Sequence, residues 1–275
     1  MILTGRPPLQ EATAPTQPTA TVPVTPPQHK EKSSAAQFTF EPKMILIPAG
    51  EFLIGSDPQQ DGYAQDNEQP QHRLYLSDYY LAKTPVTNAQ YRAFLQATGS
   101  NRPEYWTEGK LPSGKEDHPV EVFSNDALAY CHWLSEVTGR SYSLPSEAEW
   151  EKGARGTDGR IYPWGNEWDK TRCNAENGHK GTTPVQAHLK GASSYGVLDT
   201  VGNIWEWTRS LWGRYPYPTD KAELVQREGL QVAKNNPRVL RGGACDSSRH
   251  KVRCAYRRHQ GGWLTRNGFR AVVDP

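Results

Sequence analysis

Two acidic side chains stand among tryptophans in the segment 195–212, which reads YGVLDTVGNIWEWTRSLW. Glu206 lies between two tryptophans, and Asp199 precedes it by seven residues. Buried carboxylates are normally ion-paired, hydrogen-bonded or bound to a metal. With the backbone carbonyls of Gly202 and Ile204, the two acids form a set of hard oxygen ligands that suits calcium. The alternative from the residues alone is an acid that caps a turn and forms a salt bridge with an arginine.

The cysteines offer no recognisable zinc or redox motif. Cys131, Cys173, Cys245 and Cys254 are widely spaced, and no CxxC occurs. Cys131 falls on an apolar helical stripe, where a thiol packs rather than reacts. Because the N-terminus lacks the apolar region of a signal peptide, we expect reduced thiols and a cytoplasmic protein.

Helix signals occur in the first half of the chain. The pairs Thr87/Gln90 and Ser146/Glu149 each fit a capping box. Apolar spacing predicts a further helix over 124–137. These three helices must carry part of the core, since the sequence from 161 onward shows no helix signal longer than two turns.

Outside the predicted helices, short runs of β-branched and aromatic residues predict strands. Residues 44–47 and 52–54 flank a Pro-Ala-Gly turn and predict a hairpin. The polar stretch 57–72 and the stretch 213–237 are predicted to be surface loops, with a strand over 74–83. Three runs near the C-terminus predict one antiparallel sheet, namely 238–244, 251–257 and 267–273.

The N-terminal segment differs in composition from the rest. Residues 1–37 are rich in Pro, Thr, Ala and Gln, and such a segment cannot bury enough apolar surface to order itself. We expect a disordered tail, or a tether to an upstream fused domain, followed by one folded domain over 38–275. A net charge of +2 gives no sign of nucleic-acid binding, and no stretch approaches the roughly 20 apolar residues of a membrane span.

Eight motifs in order resemble the formylglycine-generating-enzyme superfamily, also called the sulfatase-modifying-factor family. They are IPAGEFLIGS (47–56), PVTNAQYRAF (85–94), HPV (118–120), LPSEAEWEKGARG (144–156), YPWGNEW (162–168), the segment 195–212, RVLRGGA (238–244) and NGFRAV (267–272). The resemblance covers residues 44–275 and implies an α+β, C-type-lectin-like fold, loop-rich, with short antiparallel sheets and a few helices.

The resemblance also implies structural calcium. Asp199, Gly202, Ile204 and Glu206 match positions that bind one calcium ion in family members. Four further positions match a second site of some members, namely Asn174, Ala175, Asn177 and His179. Asn177 stands where an acid would help most, so the alternative there is a turn held by asparagine side chains.

Catalytic members use two cysteines, separated by four residues after the RGG motif, to bind copper. Here Cys245 and Cys254 are nine positions apart, and Cys254 belongs to a VRCAYR motif that non-catalytic members also carry. We therefore expect neither copper nor formylglycine generation. The sulfoxide synthases of the family need a preceding helical domain with iron-binding histidines, which 1–37 does not supply. The alternative function is an oxidase-like or protein-modifying enzyme with an unusual site around Cys245.

The C-terminal segment departs from the family pattern in two windows, CDSSRHK (245–251) and RHQGGWLTR (258–266), while the framing motifs remain. This pattern resembles the variable proteins of diversity-generating retroelements, in which a lectin-type scaffold presents a diversified binding surface. Loops on a rigid scaffold carry binding without risk to the core. We expect a non-catalytic protein that binds an unknown ligand, itself a protein, through Cys245, Asp246, Ser248, Arg249, His250, Tyr256, Arg258, His259 and Trp263.

Overall fold

Side-chain caps fix where most helices begin in the computed structural model, which describes residues 40–230, 237–259 and 266–275. The capping boxes predicted at Thr87 and Ser146 are both present. The stretch 213–237, predicted to be a surface loop, contains a helix that was not predicted. The Asp220 side chain caps it by accepting backbone N–H groups at its start. The helices are α1 (Asn88–Thr98), α2 (Ser124–Thr138), α3 (Glu147–Arg155) and α4 (Lys221–Glu228).

Among the described residues, the strands form two four-stranded sheets and one two-stranded sheet, in the orders β1-β4-β10-β5, β8-β7-β6-β9 and β2-β3. Pairing is antiparallel except between β6 and β9. The strands are β1 (Met44–Ile47), β2 (Gly50–Ile54), β3 (His72–Leu76), β4 (Tyr79–Ala82), β5 (Tyr142–Ser143), β6 (Trp205–Leu211), β7 (Arg238–Arg241), β8 (Arg257–His259), β9 (Asn267–Gly268) and β10 (Val272–Val273). The α+β fold of the sulfatase-modifying type is thus confirmed.

Several strand predictions were wrong because pairing partners lie far apart in sequence. β1 pairs with β4, and β2 pairs with β3, so the predicted hairpin does not form. The single strand over 74–83 is two strands in different sheets. At the C-terminus, β9 and β10 also belong to different sheets, and residues 252–256 form bends and a turn before β8 begins at Arg257.

The main core is rich in aromatic residues and joins buried side chains of α1, α2 and β6. Tyr91, Phe94 and Tyr130 contact one another through edge-on and stacked rings. Trp207 is fully buried, and its indole N–H donates to the carbonyl of Val122 at 2.9 Å. The partner that a buried indole needs is thus a backbone carbonyl.

All described residues belong to one compact unit, Phe38–Pro275. The tail predicted over 1–37 lies outside the described residues. Within the described ranges, none of the helices has the length and apolar content needed to cross a bilayer.

Candidate functional site

Glu206 is fully buried on β6, and its carboxylate is held mainly by an arginine. Arg270 Nε donates to Glu206 Oε2 at 2.6 Å, and a second guanidinium nitrogen donates to Oε1 at 2.7 Å. The indole N–H of Trp150 donates to Oε2 at 2.8 Å. The salt-bridge alternative raised from the sequence therefore describes Glu206, and its negative charge is largely compensated without a metal.

Asp199 differs from Glu206, because one of its carboxylate oxygens lacks a partner. Within the described part of the chain, Oδ2 is buried and accepts no hydrogen bond. Burial raises the pKa of this carboxyl to about 6; nearby Arg270 opposes the rise, and the Glu206 charge adds to it. A buried carboxylate oxygen without a donor is costly unless a cation or water satisfies it. The unpartnered oxygen of Asp199 is therefore compatible with the calcium prediction, whereas the oxygens of Glu206 are already bonded, and the site stays a prediction.

The residues of the second predicted metal site differ in their exposure. Asn174 is buried, its amide nitrogen donates to Gly181 and Asn203, and its Oδ1 has no partner among the described residues. Ala175 is also buried, whereas the side chains of Asn177 and His179 are exposed. The buried amide oxygen is compatible with an ion, and the second site stays a prediction.

Buried arginines hold the C-terminal segment on the scaffold. Arg253 forms ion pairs with Asp61 at 2.5 Å and with Glu68 at 2.7 Å. Arg257 binds both carboxylate oxygens of Glu147, at 2.6 and 2.8 Å. The stretch 57–72 is thus more than the predicted surface loop, since two of its four acids, Asp61 and Glu68, are buried against the C-terminal segment.

The residues predicted to bind ligand lie before, between and after these buried arginines in the same C-terminal segment. Those that are exposed or half-buried are Asp246, Ser248, Arg249, His250, Tyr256, Arg258 and His259. Trp263 lies outside the described residues. The prediction that Cys245 faces solvent was wrong: its fractional exposure is 1%, because its amide and carbonyl are bonded to Asn203 and Asn177.

The structure brings two of these candidates, Arg258 and Tyr256, against the indole of Trp205. Arg258 stacks its guanidinium over the ring of Trp205 at 4.0 Å, and the ring of Tyr256 lies 5.9 Å from the same indole. Asp246 forms an ion pair at 2.7 Å with Arg266. His259 lies apart from this group, edge-on to Trp212. We call the seven exposed or half-buried candidates together the C-terminal face.

A cavity of about 520 Å³ opens beside Arg266 and Asn267. Its walls include Tyr105, Glu121 and Asp126. Burial raises the pKa of Glu121, whose carboxylate accepts the backbone N–H of Arg266 at 3.0 Å. The cavity therefore adjoins the C-terminal face through Arg266, the ion-pair partner of Asp246.

Sequence reasoning missed Arg266, Glu121 and Tyr63 as members of this region. Tyr63 stacks on His250 with ring centroids 3.7 Å apart. Arg266 is the last residue of the segment 258–266, which departs from the family pattern, so the sequence could have indicated it. Glu121 and Tyr63 lie more than 120 residues from their partners and carried no local signal.

The four cysteines are free and buried. Cys254 packs with Trp150 and Ala154. Burial raises the pKa of the Cys245 thiol. The positive charge of Arg266 lowers this pKa, and the negative charge of Asp246 raises it. A buried, protonated thiol is a poor nucleophile and a poor metal ligand. In the described ranges, no group of three or more His, Cys, Asp or Glu side chains is arranged to hold a metal.

Comparison with known proteins places the chain in a family. The sequence profile of the sulfatase-modifying factor enzyme 1-like domain matches residues 29–275. The chain belongs to this family. Among its relatives is the formylglycine-generating enzyme of Streptomyces coelicolor, 32% identical over 256 residues, with 73% of this chain and 77% of the enzyme covered.

Another member of the sulfatase-modifying factor family is part of a longer protein. The serine/threonine-protein kinase pkn1 of Chlamydia caviae is 34% identical over 232 residues, and the match covers 78% of this chain but only 35% of the kinase. Shared ancestry in this family therefore extends to proteins with different names and different lengths.

Two solved structures share the fold at lower sequence identity. PvdO from Pseudomonas aeruginosa superposes with a TM-score of 0.72 at 24% identity, covering 86% of this chain and 96% of PvdO. Treponema denticola variable protein 1 gives 0.66 at 21% identity, covering 84% and 95%. These likenesses extend the fold of the sulfatase-modifying factor family to proteins with different names.

Proposed function

We propose that this member of the sulfatase-modifying factor family is a non-catalytic binding protein, a variable protein of a diversity-generating retroelement. Its binding site is the C-terminal face. The ligand is a protein, which docks on this face and over the mouth of the adjoining cavity. The fold likeness to a variable protein of Treponema denticola is compatible with this role, but as a likeness of fold alone it does not carry the proposal.

The observation that carries the proposal is the interleaving of buried and exposed residues in one segment. Arg253, Cys254 and Arg257 are buried, while Tyr256 and Arg258 between and beside them reach the surface. Buried residues that are fixed by ion pairs keep the backbone in place. Their neighbours can therefore change without loss of the fold, which is what a diversified surface requires.

A display library tests whether the face tolerates diversity. Randomising the seven face positions should leave most members folded, because surface substitutions typically cost within ~0.5 kcal/mol each. Selection against several unrelated soluble proteins should then give binders. The positions are Asp246, Ser248, Arg249, His250, Tyr256, Arg258 and His259.

Two control libraries make the result specific. Randomising Arg253 and Arg257 should give mostly unfolded protein, because it leaves buried carboxylates uncompensated. Randomising exposed positions on α2, such as Asn125, His132 and Glu136, should preserve folding but give few binders. The proposal fails if the face library does not fold, or if the α2 library yields binders equally often.

A further inference from the structure

Tyr63 is an exposed aromatic residue that contacts the C-terminal face from a distant part of the chain. Half of its surface, 51%, is exposed to solvent. Its ring stacks on the imidazole of His250 with an angle of 19° between the planes. Large exposed aromatic side chains at such positions are enriched in binding hot spots.

A chain of hydrogen bonds holds Tyr63 in register with His250. Arg253 Nε donates to the carbonyl of His250 at 2.8 Å, and Arg253 Nη1 donates to Asp61 Oδ2 at 2.5 Å. The other Asp61 oxygen accepts the backbone N–H of Tyr63 at 3.0 Å. Because Arg253 and Asp61 are both buried, this link is protected from water and fixes the two rings relative to each other.

The turn Arg249–Lys251 beside this stack has a fixed backbone and two exposed cations. The backbone N–H of Arg249 donates to Glu176 Oε1 at 3.1 Å, and the Arg249 carbonyl accepts a hydrogen bond from the hydroxyl of Tyr162 at 3.2 Å. The side chains of Arg249 and Lys251 are exposed, and neither forms a salt bridge within the described ranges of the chain. Arg249 Nε donates to His250 Nε2 at 3.2 Å, but neither cation is paired with a carboxylate in the described ranges. Both are therefore able to bind carboxylates of a partner without first breaking internal ion pairs.

We infer that Tyr63 is a constant aromatic anchor of the binding face, supplied from outside the diversified windows. With Arg249 and Lys251 it binds an acidic segment of the protein partner of this particular variant. The inference rests on the proposed function. Diversification would change the charges on the turn from one variant to another, while Tyr63 and its link through Arg253 and Asp61 would remain.

The test uses a fluorescein-labelled octaglutamate peptide, with octaglutamine as its neutral match, and measures binding by fluorescence anisotropy at two salt concentrations. We expect octaglutamate to bind and octaglutamine not to bind. Tyr63→Ala should weaken binding about tenfold, as for a typical aromatic hot spot. Tyr63→Phe, which keeps the ring, should bind like the unchanged protein, and Arg249→Gln and Lys251→Gln should each weaken binding.

The matched control is Tyr75→Ala, which removes a tyrosine that is 62% exposed on β3, away from the face. It should leave binding unchanged. Equal losses in Tyr63→Ala and Tyr75→Ala, or no loss in either, would overturn the anchor role. Tighter binding of a single-stranded oligonucleotide of equal charge would overturn the acidic-protein assignment. Because the display library does not depend on this peptide, failure of octaglutamate binding alone would leave the proposed function standing.

Discussion

Glu147→Gln is expected to unfold the domain, or to lower its free energy of unfolding by about 3–5 kcal/mol, the usual cost of breaking a buried ion pair. Glu147 is fully buried, and its carboxylate pairs with Arg257 at 2.6 Å, Arg241 at 3.1 Å and Arg227 at 3.2 Å. The amide of Gln has the same shape but no charge. The substitution therefore leaves three arginines without their common counter-charge.

The pH dependence of the unchanged protein should follow from the same cluster. Burial raises the pKa of the Glu147 carboxyl, but the guanidinium groups of Arg257, Arg241 and Arg227 outweigh burial, and the net pKa is lowered. A lowered pKa in the folded state adds stability above the unfolded pKa, about 4.5, and that stability is lost as the pH falls through the folded pKa. Chemical unfolding curves from pH 7 to pH 3 would measure this loss.

Glu136→Gln is the matched control, because it makes the same change at an exposed site on α2. It should shift the free energy of unfolding by no more than ~0.5 kcal/mol. Should Glu147→Gln remain within 1 kcal/mol of the unchanged protein, the ion-pair cluster would not be what anchors β8 and the face it carries.

Calcium should stabilise the protein, and Asp199→Asn should remove that effect. At a calcium concentration 100 times the dissociation constant, binding adds about 2.7 kcal/mol to the free energy of unfolding. The chelated protein should therefore melt at a lower temperature than the calcium-loaded one. Asp199→Asn should melt at the same temperature in calcium and in chelator, because the unpartnered carboxylate oxygen is the ligand that the substitution removes.

In chelator, Asp199→Asn should be more stable than the unchanged protein, the reverse of their order in calcium. Since burial raises the Asp199 pKa to about 6, the charged form destabilises the metal-free protein. Stability from this group is fully present below pH 4 and is lost as the pH rises through 6, a loss on the order of 3 kcal/mol. In chelator at pH 7, Asp199→Asn should thus be more stable than the unchanged protein.

This crossover distinguishes calcium binding from an ordinary structural role. Glu206→Gln is a poor probe, because it would also break the buried pair with Arg270 and destabilise the protein with or without calcium. Identical melting curves of the unchanged protein in calcium and in chelator, with no metal detected by elemental analysis, would rule out the site.

Local signals in the sequence predicted the helices best. The capping boxes at Thr87 and Ser146 involve residues three apart, so their chemistry is visible in a short window. The pairing of β1 with β4 joins residues 32 to 38 positions apart, and the bond between Arg253 and Asp61 joins residues 192 positions apart. No local pattern encodes such partners. The fold could be predicted only because several motifs together resembled a family.

The candidate site was predicted in outline. The C-terminal face was located because two segments that depart from the family pattern lie between motifs that keep it. Nothing in the sequence showed that Cys245 is buried, with backbone hydrogen bonds to Asn203 and Asn177. Glu206 shows the same limit, since its partner Arg270 lies between β9 and β10, 64 residues away in sequence. Burial and ion pairing of single side chains follow from tertiary contacts, which spacing does not reveal.

Sequencing the 3′ end of the gene across a population of cells tests whether the C-terminal face is diversified. Codons of the C-terminal face should vary, and those of the buried Arg253, Cys254 and Arg257 should stay constant. A reverse-transcriptase gene should lie nearby, with a near-repeat of the codons for residues 240–270 that differs at adenines. Variation that is absent, or that falls equally on the buried arginine codons, would contradict a diversified binding surface.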